Sequence, residues 1–463
     1  MKRSAISIIE TLRSQGFQAY LVGGCVRDIL LNREPADYDV TTDATPEQVM
    51  RIFPQTYAVG AQFGVVLVPV KTLTGTPPQT ETQPAQLEPT ISTHPHAVEV
   101  ATFRNDGIYS DGRHPDEVRY SKSPQEDVQR RDFTINGLLL DPVKDEVLDF
   151  VGGRADLAAN IVRTIGDPHR RFAEDKLRLS RAVRFAARFG YRIESDTFAA
   201  IRELAPQISQ VSRERVRDEL TKMLTEGRAG RAFELLDETG LLKEVLPEIS
   251  AMKGVEQPPQ FHPEGDVFIH TMIMLGMLPA NCSHTLAWGT LLHDVGKPPT
   301  FRVGEDRIRF DGHVEVGVKM AEAICHRLRM SNDDTAQILA LVDNHMRFGD
   351  AMRMKESTLK RFMRLPQFDE HLALHRIDCL GSHGKLEIHD FLREKLANTP
   401  PEEIRPAPLI NGHDLIRLGL APGPAFADLL STVEDAQLEG KLHTRDEALA
   451  LVEQLLLSNP ELS

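Results

Sequence analysis

The chain has 463 residues, 41% of them hydrophobic and 26% charged, which is enough for several cores and excludes both a lone small binding module and a disulfide-stapled miniprotein. A net charge of −14 argues against a protein that coats nucleic acid by bulk attraction. No apolar run reaches the roughly eighteen residues of a membrane span, because Pro279, Asn281 and His284 interrupt the stretch around 272–292.

The amino end passes from Met1-Lys2-Arg3 into Ser4, Glu10 and Arg13 without an apolar leader. Cys25, Cys282, Cys325 and Cys379 stand far apart in no metal-like pattern. The cytoplasm is the expected compartment; no membrane association and no protein partner are inferred.

Residues 1–150 mix short strand-type apolar runs (19–22, 64–70, 98–103 and 147–151) with helical segments, predicting an α/β head. Within it the Pro/Thr/Gln-rich segment 72–96 lacks periodicity and is expected to be a disordered excursion between strands. In Tyr20-Leu-Val-Gly23-Gly24-Cys-Val-Arg27-Asp28 a strand runs into a Gly-Gly turn and then a helix. That arrangement gathers bare backbone N–H groups at one point, as a phosphate cradle does. Further on comes Ala36-Asp37-Tyr38-Asp39-Val40. Residues i and i+2 of a strand share a face, so Asp37 and Asp39 project side by side and repel one another unless a cation sits between them. A metal-bound triphosphate needs both a cradle and such a pair.

From about residue 151 to 255 the spacing turns helical (Leu177, Val183, Phe185, Phe189, then Leu220, Leu224, Phe233, Leu236) and strand signals disappear, predicting an all-helical neck. Residues 154–231 hold 17 Lys/Arg against 11 Asp/Glu, mostly arginine, so the acidic chain carries a local basic surface suited to phosphates and bases. Arg178, Arg181 and Arg184 recur every third residue, and with Asp175 they are expected to form one helical stripe. Helices continue through 256–398, and a small helical tail follows the Pro-rich stretch, giving a fourth division at 399–463. In that third division, His293-Asp294 on an apolar helix is hard to explain as core packing, because burying both without a partner costs several kcal/mol.

These motifs, in this order, resemble the bacterial tRNA nucleotidyltransferase (CCA-adding) and poly(A) polymerase family of the DNA polymerase β superfamily. Asp111-Gly112-Arg113 is similar to that family's flexible loop, Arg130-Arg131-Asp132-Phe-Thr-Ile-Asn136 to its ribose-selecting motif, and Glu174-Asp175 through Arg188 to its base-selecting helix. The tail motif Asn411-Gly-His-Asp-Leu with Pro422-Gly-Pro424 adds to the likeness. The resemblance implies an α+β protein: a polymerase-β-like head, a helical neck, a helical HD domain and a helical tail. It also implies template-independent transfer from CTP and ATP to the 3′ end of tRNA, with Asp37 and Asp39 holding two Mg²⁺ ions. Glu99, alone between Val98 and Val100 on an expected strand, is a candidate third carboxylate at the metals, the alternative being an edge-strand glutamate. Gly23, Gly24, Arg27 and Asp28 would serve the nucleotide, Arg131 the triphosphate, and Asp132 and Asn136 the ribose. Asp175 and Arg178, with Arg181 and Arg184 on the same stripe, would read the base edge.

Residues 262–378 resemble the HD metal-dependent phosphohydrolases, whose ligand pattern implies His270, His293, Asp294 and Asp378, with His313 and His345 as further ligands. Such a set suits Ni²⁺, Mn²⁺ or Co²⁺ better than Mg²⁺. Poly(A) polymerases of this type carry a basic Gly-Arg-Arg-Phe-like stretch; Gly60-Ala-Gln-Phe-Gly64 lacks those arginines, which favours the tRNA enzyme. An enzyme that adds only the terminal A, an HD phosphohydrolase with a nucleotide-binding head, a degenerate HD fold kept for structure, and a non-catalytic RNA-binding protein are the competing readings.

Overall fold

In the computed structural model, which describes residues 1–57, 64–70, 97–106, 118–259, 262–305 and 307–458, the amino-terminal apolar runs pair into one six-stranded sheet. Its strands are β1 (Ala19–Val22), β2 (Val40–Thr42), β3 (Val65–Pro69), β4 (Ala97–Thr102), β7 (Leu138–Asp141) and β8 (Glu146–Asp149). Their order is β3-β4-β2-β1-β7-β8, while β5 (Arg104–Asp106) and β6 (Val118–Tyr120) form a separate hairpin. Within that sheet only β2 and β4 run parallel, in the register Val40 to Val100. The helix Lys2–Ser14 buries Ala5, Ile8, Ile9 and Leu12, the i, i+3, i+4, i+7 face of an amphipathic helix. Arg13 at its end bonds Asp141 and the carbonyl of Ala19, fastening helix to sheet.

The chain folds into two units, one comprising Met1–Met223 with Arg231–Val245, the other Leu224–Gly230 with Leu246–Ser463. In the first, the helix Leu177–Phe189 buries Leu179, Val183, Phe185 and Phe189 and ends on Gly190 in the left-handed conformation. The neck is not all-helical: β9 (Ile161–Val162) and β10 (Arg192–Ile193) pair in parallel, an arrangement too short to leave a period in the sequence. The expected stripe is also interrupted. One helix stops at Glu174 and the next begins at Leu177, with Asp175 extended between them, its carboxylate accepting from the Leu177 N–H.

The second unit is a helical assembly whose helices Val267–Gly276, His284–Leu292, Asn332–Asn344 and Phe368–Gly381 enclose a core containing Trp288. A two-stranded hairpin, β11 (Arg302–Val303) with β12 (Ile308–Arg309), interrupts it. The tail has its own apolar cluster, with Ile410, Leu415, Leu429, Val433, Ala448 and Val452 buried. Residues 72–96, the loop motif Asp111-Gly112-Arg113 and positions 60–63 lie outside the described residues. Among the described residues no helix is long and apolar enough to cross a membrane.

Candidate active site and metal centre

The strand-to-helix turn after β1 depends on Gly23. Its φ of 75° and ψ of −129° belong to backbone that L side chains rarely adopt, and a Cβ there would lie 3.3 Å from Nη1 of Arg131. Gly24 opens the following helix, Gly24–Leu30. Arg27, in that helix, does not reach outward. Its buried guanidinium donates from Nη1 to Asn136 Oδ1 (2.6 Å) and from Nε to Asp28 Oδ1 (2.9 Å), and stacks 4.5 Å from the ring centre of Phe189. Asn136 in turn donates to Asp132 Oδ1 (3.1 Å). Gly23, Arg27, Asp28, Arg131, Asp132 and Asn136 are thus one contiguous group, linked across more than a hundred residues of sequence.

Asp37 and Asp39 lie just ahead of β2 rather than in it. The alternation nevertheless holds, because the Val22 N–H donates to the Asp39 carbonyl (3.1 Å) and extends the ladder. Tyr38 between them is 3% exposed, so the two acids take the opposite side. One step back from the Val40 to Val100 pair, the parallel register sets Asp39 beside Glu99. Burial pushes Asp39 up to about 7; Glu99 and Asp37 push it the same way and Arg131 opposes them. Glu99 is likewise raised by burial, against Arg131 and together with Asp37. Arg104 also opposes the rise of Glu99. Three mutually repelling carboxylates in one place form a donor set that a hard divalent cation relieves by adding positive charge among them.

The arginine ladder is already engaged. Arg178 donates to Glu174 Oε2 (2.7 Å) and to the carbonyls of Arg171 and Arg130. Asp175 receives two bonds from Arg215 (2.7 and 3.2 Å). Arg181 donates twice to Asp132 Oδ2 (2.6 and 3.0 Å). Burial alone would raise Asp132, but Arg181 and Asn136 outweigh it and hold the carboxyl well below the usual range. Arg184 is 5% exposed and donates to Glu219 Oε2 (2.7 Å). The four residues therefore do not form a free stripe: Arg184 points into the unit, whereas Asp175 and Arg178 sit on the helix break. Arg215 and Glu219, missed by the sequence reading, carry a signal in hindsight. They stand four apart on the helix Arg213–Thr225, one charge matching Asp175 and the other matching Arg181 and Arg184.

In the second unit six expected ligands converge. Asp266 caps the helix that carries His270, His293-Asp294 follow the helix His284–Leu292, His313 and His345 each open a helix, and Asp378 lies on Phe368–Gly381. A Cβ on Gly296 would meet the His313 carbonyl at 2.1 Å, so glycine is required for that approach. Nε2 lies 3.2 Å from Asp378 Oδ1 for His270 and 3.1 Å from Asp294 Oδ2 for His293; for His313 and His345 it lies 3.8 and 3.7 Å from Asp294 Oδ1. Each Nδ1 faces an acceptor: Glu264 for His270 (2.7 Å), and the carbonyls of Thr290, Phe310 and Val342 for His293, His313 and His345. A proton on Nδ1 leaves the Nε2 lone pair free. All four Nε2 atoms are buried without a hydrogen-bond partner.

Burial lowers His345 to about 4 and also lowers His313. With no cation among them, Asp378 and Glu264 outweigh the burial of His270 and push it up to about 9, so a metal binding there would displace a proton from its Nε2. Lys297 Nζ lies 2.7 Å from Asp294 Oδ2 and donates to Gln257. Four orphaned imidazole nitrogens around two carboxylates fit a transition metal. Glu264, which aims His270, was not singled out from the sequence.

Three family models match: a poly A polymerase head domain over residues 19–163, a probable RNA and SrmB-binding site of polymerase A over 190–253, and an HD domain over 268–380. The CCA-adding enzyme of Anoxybacillus flavithermus is 39% identical over 450 residues, 96% of this chain and 95% of its own. That of Enterococcus faecalis is 31% identical over 451 residues, 96% and 94%. With the CCA-adding enzyme of Geobacillus stearothermophilus the match is 41% over 239 residues, about half the length of either chain. Among solved structures, the Bacillus stearothermophilus CCA-adding enzyme in complex with CTP aligns at a TM-score of 0.73 and 26% identity, covering 99% of this chain and 98% of that one. The Thermotoga maritima CCA-adding enzyme complexed with tRNA shares the fold at a TM-score of 0.58 and 19% identity, covering 98% and 94%.

Proposed function

The chain belongs to the family of CCA-adding enzymes, and from that premise we propose that it transfers CMP and AMP from CTP and ATP to the 3′ end of tRNA, releasing pyrophosphate, in the cytoplasm. The observation that carries this reading is the cluster of Asp37, Asp39 and Glu99 facing Arg131 beside the Gly23 turn. These acids would hold Mg²⁺, which when bound activates the RNA 3′-OH and neutralises the triphosphate. Arg131 and the N–H groups after Gly23 orient the triphosphate, so that the α-phosphorus is presented in line to the hydroxyl. Asn136, steadied by Arg27 and Asp132, faces the ribose. Asp175 and Arg178 read the base edge, exchanging Arg215 and Glu174 for the donors and acceptors of cytosine or adenine. Because these two side chains do the reading, no nucleic-acid template is needed, and the arginine-rich neck holds the RNA backbone and aims its 3′ end.

The test is incubation of the pure protein with tRNA ending before CCA, tRNA ending in CC, and an unrelated RNA, supplying CTP or ATP singly and together. Full CCA addition requires two C residues from CTP alone and three residues from both nucleotides on the first substrate. An enzyme that adds only A extends the second substrate alone, and a poly(A) polymerase extends the unrelated RNA.

The four orphaned Nε2 atoms favour a second activity in the HD domain: transition-metal-dependent hydrolysis of phosphate esters or 2′,3′-cyclic phosphates. His270, His293, Asp294 and Asp378, joined by His313 and His345, would hold Ni²⁺, Mn²⁺ or Co²⁺, and Lys297 steadies Asp294. Release of phosphate from monoesters, or opening of a 2′,3′-cyclic phosphate to a monophosphate, by the metal-loaded protein tests it.

A further inference from the structure

Asp127, on the short helix Pro124–Gln129, is 0% exposed, yet it carries a full hydrogen-bond set. Oδ1 accepts from Nε and Nη2 of Arg130 (2.9 and 2.7 Å); Oδ2 accepts from Nη2 of Arg131 (3.1 Å) and from the Thr41 hydroxyl (3.3 Å). Thr41 lies on β2, two residues beyond Asp39. The carboxylate therefore ties the arginine motif to the strand that presents the metal-holding acids. Arg131, its other partner, has Nη1 at the Gly23 turn, and its Nε is buried without a hydrogen-bond partner. A long, flexible side chain with one bond to hold it gains its direction from that bond.

A buried carboxylate between two guanidinium groups adds little to stability compared with apolar residues of the same volume, so stability alone does not account for placing one here. What the pair provides is direction: the charge-assisted bond fixes where the second guanidinium edge points. We infer that Asp127 is a positioning residue for nucleotidyl transfer, aiming Arg131 at the triphosphate and coupling that aim to β2. The inference rests on the polymerase reading of the head. It assigns to Asp127 no contact with nucleotide, metal or RNA.

The test measures steady-state addition of CMP and AMP by Asp127→Asn, Arg131→Ala and the double variant, alongside tRNA affinity and thermal unfolding. Asn keeps the shape and one acceptor but loses the charge that orients Arg131. The expected result is a KM for CTP and for ATP raised together by about tenfold, the loss of one charge-assisted hydrogen bond. The CTP/ATP preference and the tRNA Kd stay within about twofold of wild type. In the Arg131→Ala background, Asp127→Asn adds no more than about twofold, because the two residues act as one.

If Asp127→Asn unfolds, Thr41→Val replaces it: removing only the weakest of the four bonds should raise both KM values about two- to threefold in the same ratio. Normal nucleotide KM values in a folded variant, or effects that simply add, would overturn the assignment while leaving the polymerase reading intact. A wild type that incorporates neither nucleotide would overturn the reading on which the assignment rests.

Discussion

On the proposed reading, the acid cluster of the first unit and the imidazole cluster of the second are opposite constructions for the same task, holding a cation. In the first, Asp37 is exposed, Asp39 is half-buried and pushed up to about 7, and the acids repel one another across an open strand end. In the second, four Nε2 atoms are buried, each ring is fixed through its Nδ1, and two aspartates stand among them. A site that stays strained until a cation arrives suits an ion that comes and goes with a triphosphate. A closed site with prepared lone pairs suits a resident ion. Chemistry with a changing substrate calls for the first construction, and a permanent metal for the second.

The sharpest way to break this comparison is to remove the acids. Asp37→Ala or Asp39→Ala should lower nucleotide addition by on the order of 10³-fold or more, since a metal in such a site is worth several kcal/mol to the transition state. The tRNA Kd should change no more than a few-fold, since the proposal assigns the RNA to the neck arginines. Equal loss of binding in a folded variant, followed by filter binding, would place the acids in RNA recognition instead.

The next effect concerns residence. Ni²⁺, Mn²⁺ or Co²⁺ retained after dialysis, measured by elemental analysis, should disappear in the double variant His293→Ala with Asp294→Ala. Glu264→Gln should weaken retention by about 10–100-fold, the usual cost of removing the group that orients a ligating histidine. Retention unchanged by either substitution would mean that the cluster is not a metal site.

Base selection should respond more modestly. Asp175→Ala or Arg178→Ala should reduce CTP/ATP discrimination by about 10–100-fold, corresponding to roughly 1–3 kcal/mol of hydrogen-bond readout, with little change in tRNA affinity. Competition between the two nucleotides on one tRNA substrate measures it, and unchanged choice in both variants would make the helix break structural.

The smallest expected effect is on acid stability. Asp132 is held below the usual carboxylate range by Arg181 and Asn136, after overcoming its burial. Its unfolded form, with a pKa of about 4, binds a proton first as pH falls. The stabilisation is therefore complete above about pH 4 and is lost in more acidic solution. Asp132→Asn should lower the urea midpoint at neutral pH and flatten its decline in acid; an unchanged acid slope would show that Asp132 contributes none of it.

The legible parts of the molecule were those set by local period or by bare glycine. β1 forms over Ala19–Val22 as the apolar run predicts, and Tyr38 faces inward while the two flanking acids do not. The histidines around Asp294 are legible through the likeness to the HD phosphohydrolases rather than through any period. Less legible were the partners that decide what each charge does. Asp127 reaches Thr41 across 86 residues, Glu219 reaches Arg184 across 35, and Arg215 reaches Asp175 across 40. No period encodes such contacts, since they depend on how strands and helices return. The break at Asp175 was hidden for a different reason: a side chain that caps the next helix looks, in sequence, like one more residue of a continuous stripe.

The claim that the acid cluster alone performs the transfer is tested most directly by a single measurement. Incorporation of labelled CMP and AMP into tRNA lacking its terminal CCA is followed for wild type, Asp39→Ala, and the double variant His293→Ala with Asp294→Ala. All three are checked for folding by circular dichroism. The account predicts addition by the wild type and the imidazole-cluster variant at similar rates, and none by Asp39→Ala. Addition retained by Asp39→Ala, or lost in a well-folded His293/Asp294 variant, would contradict it.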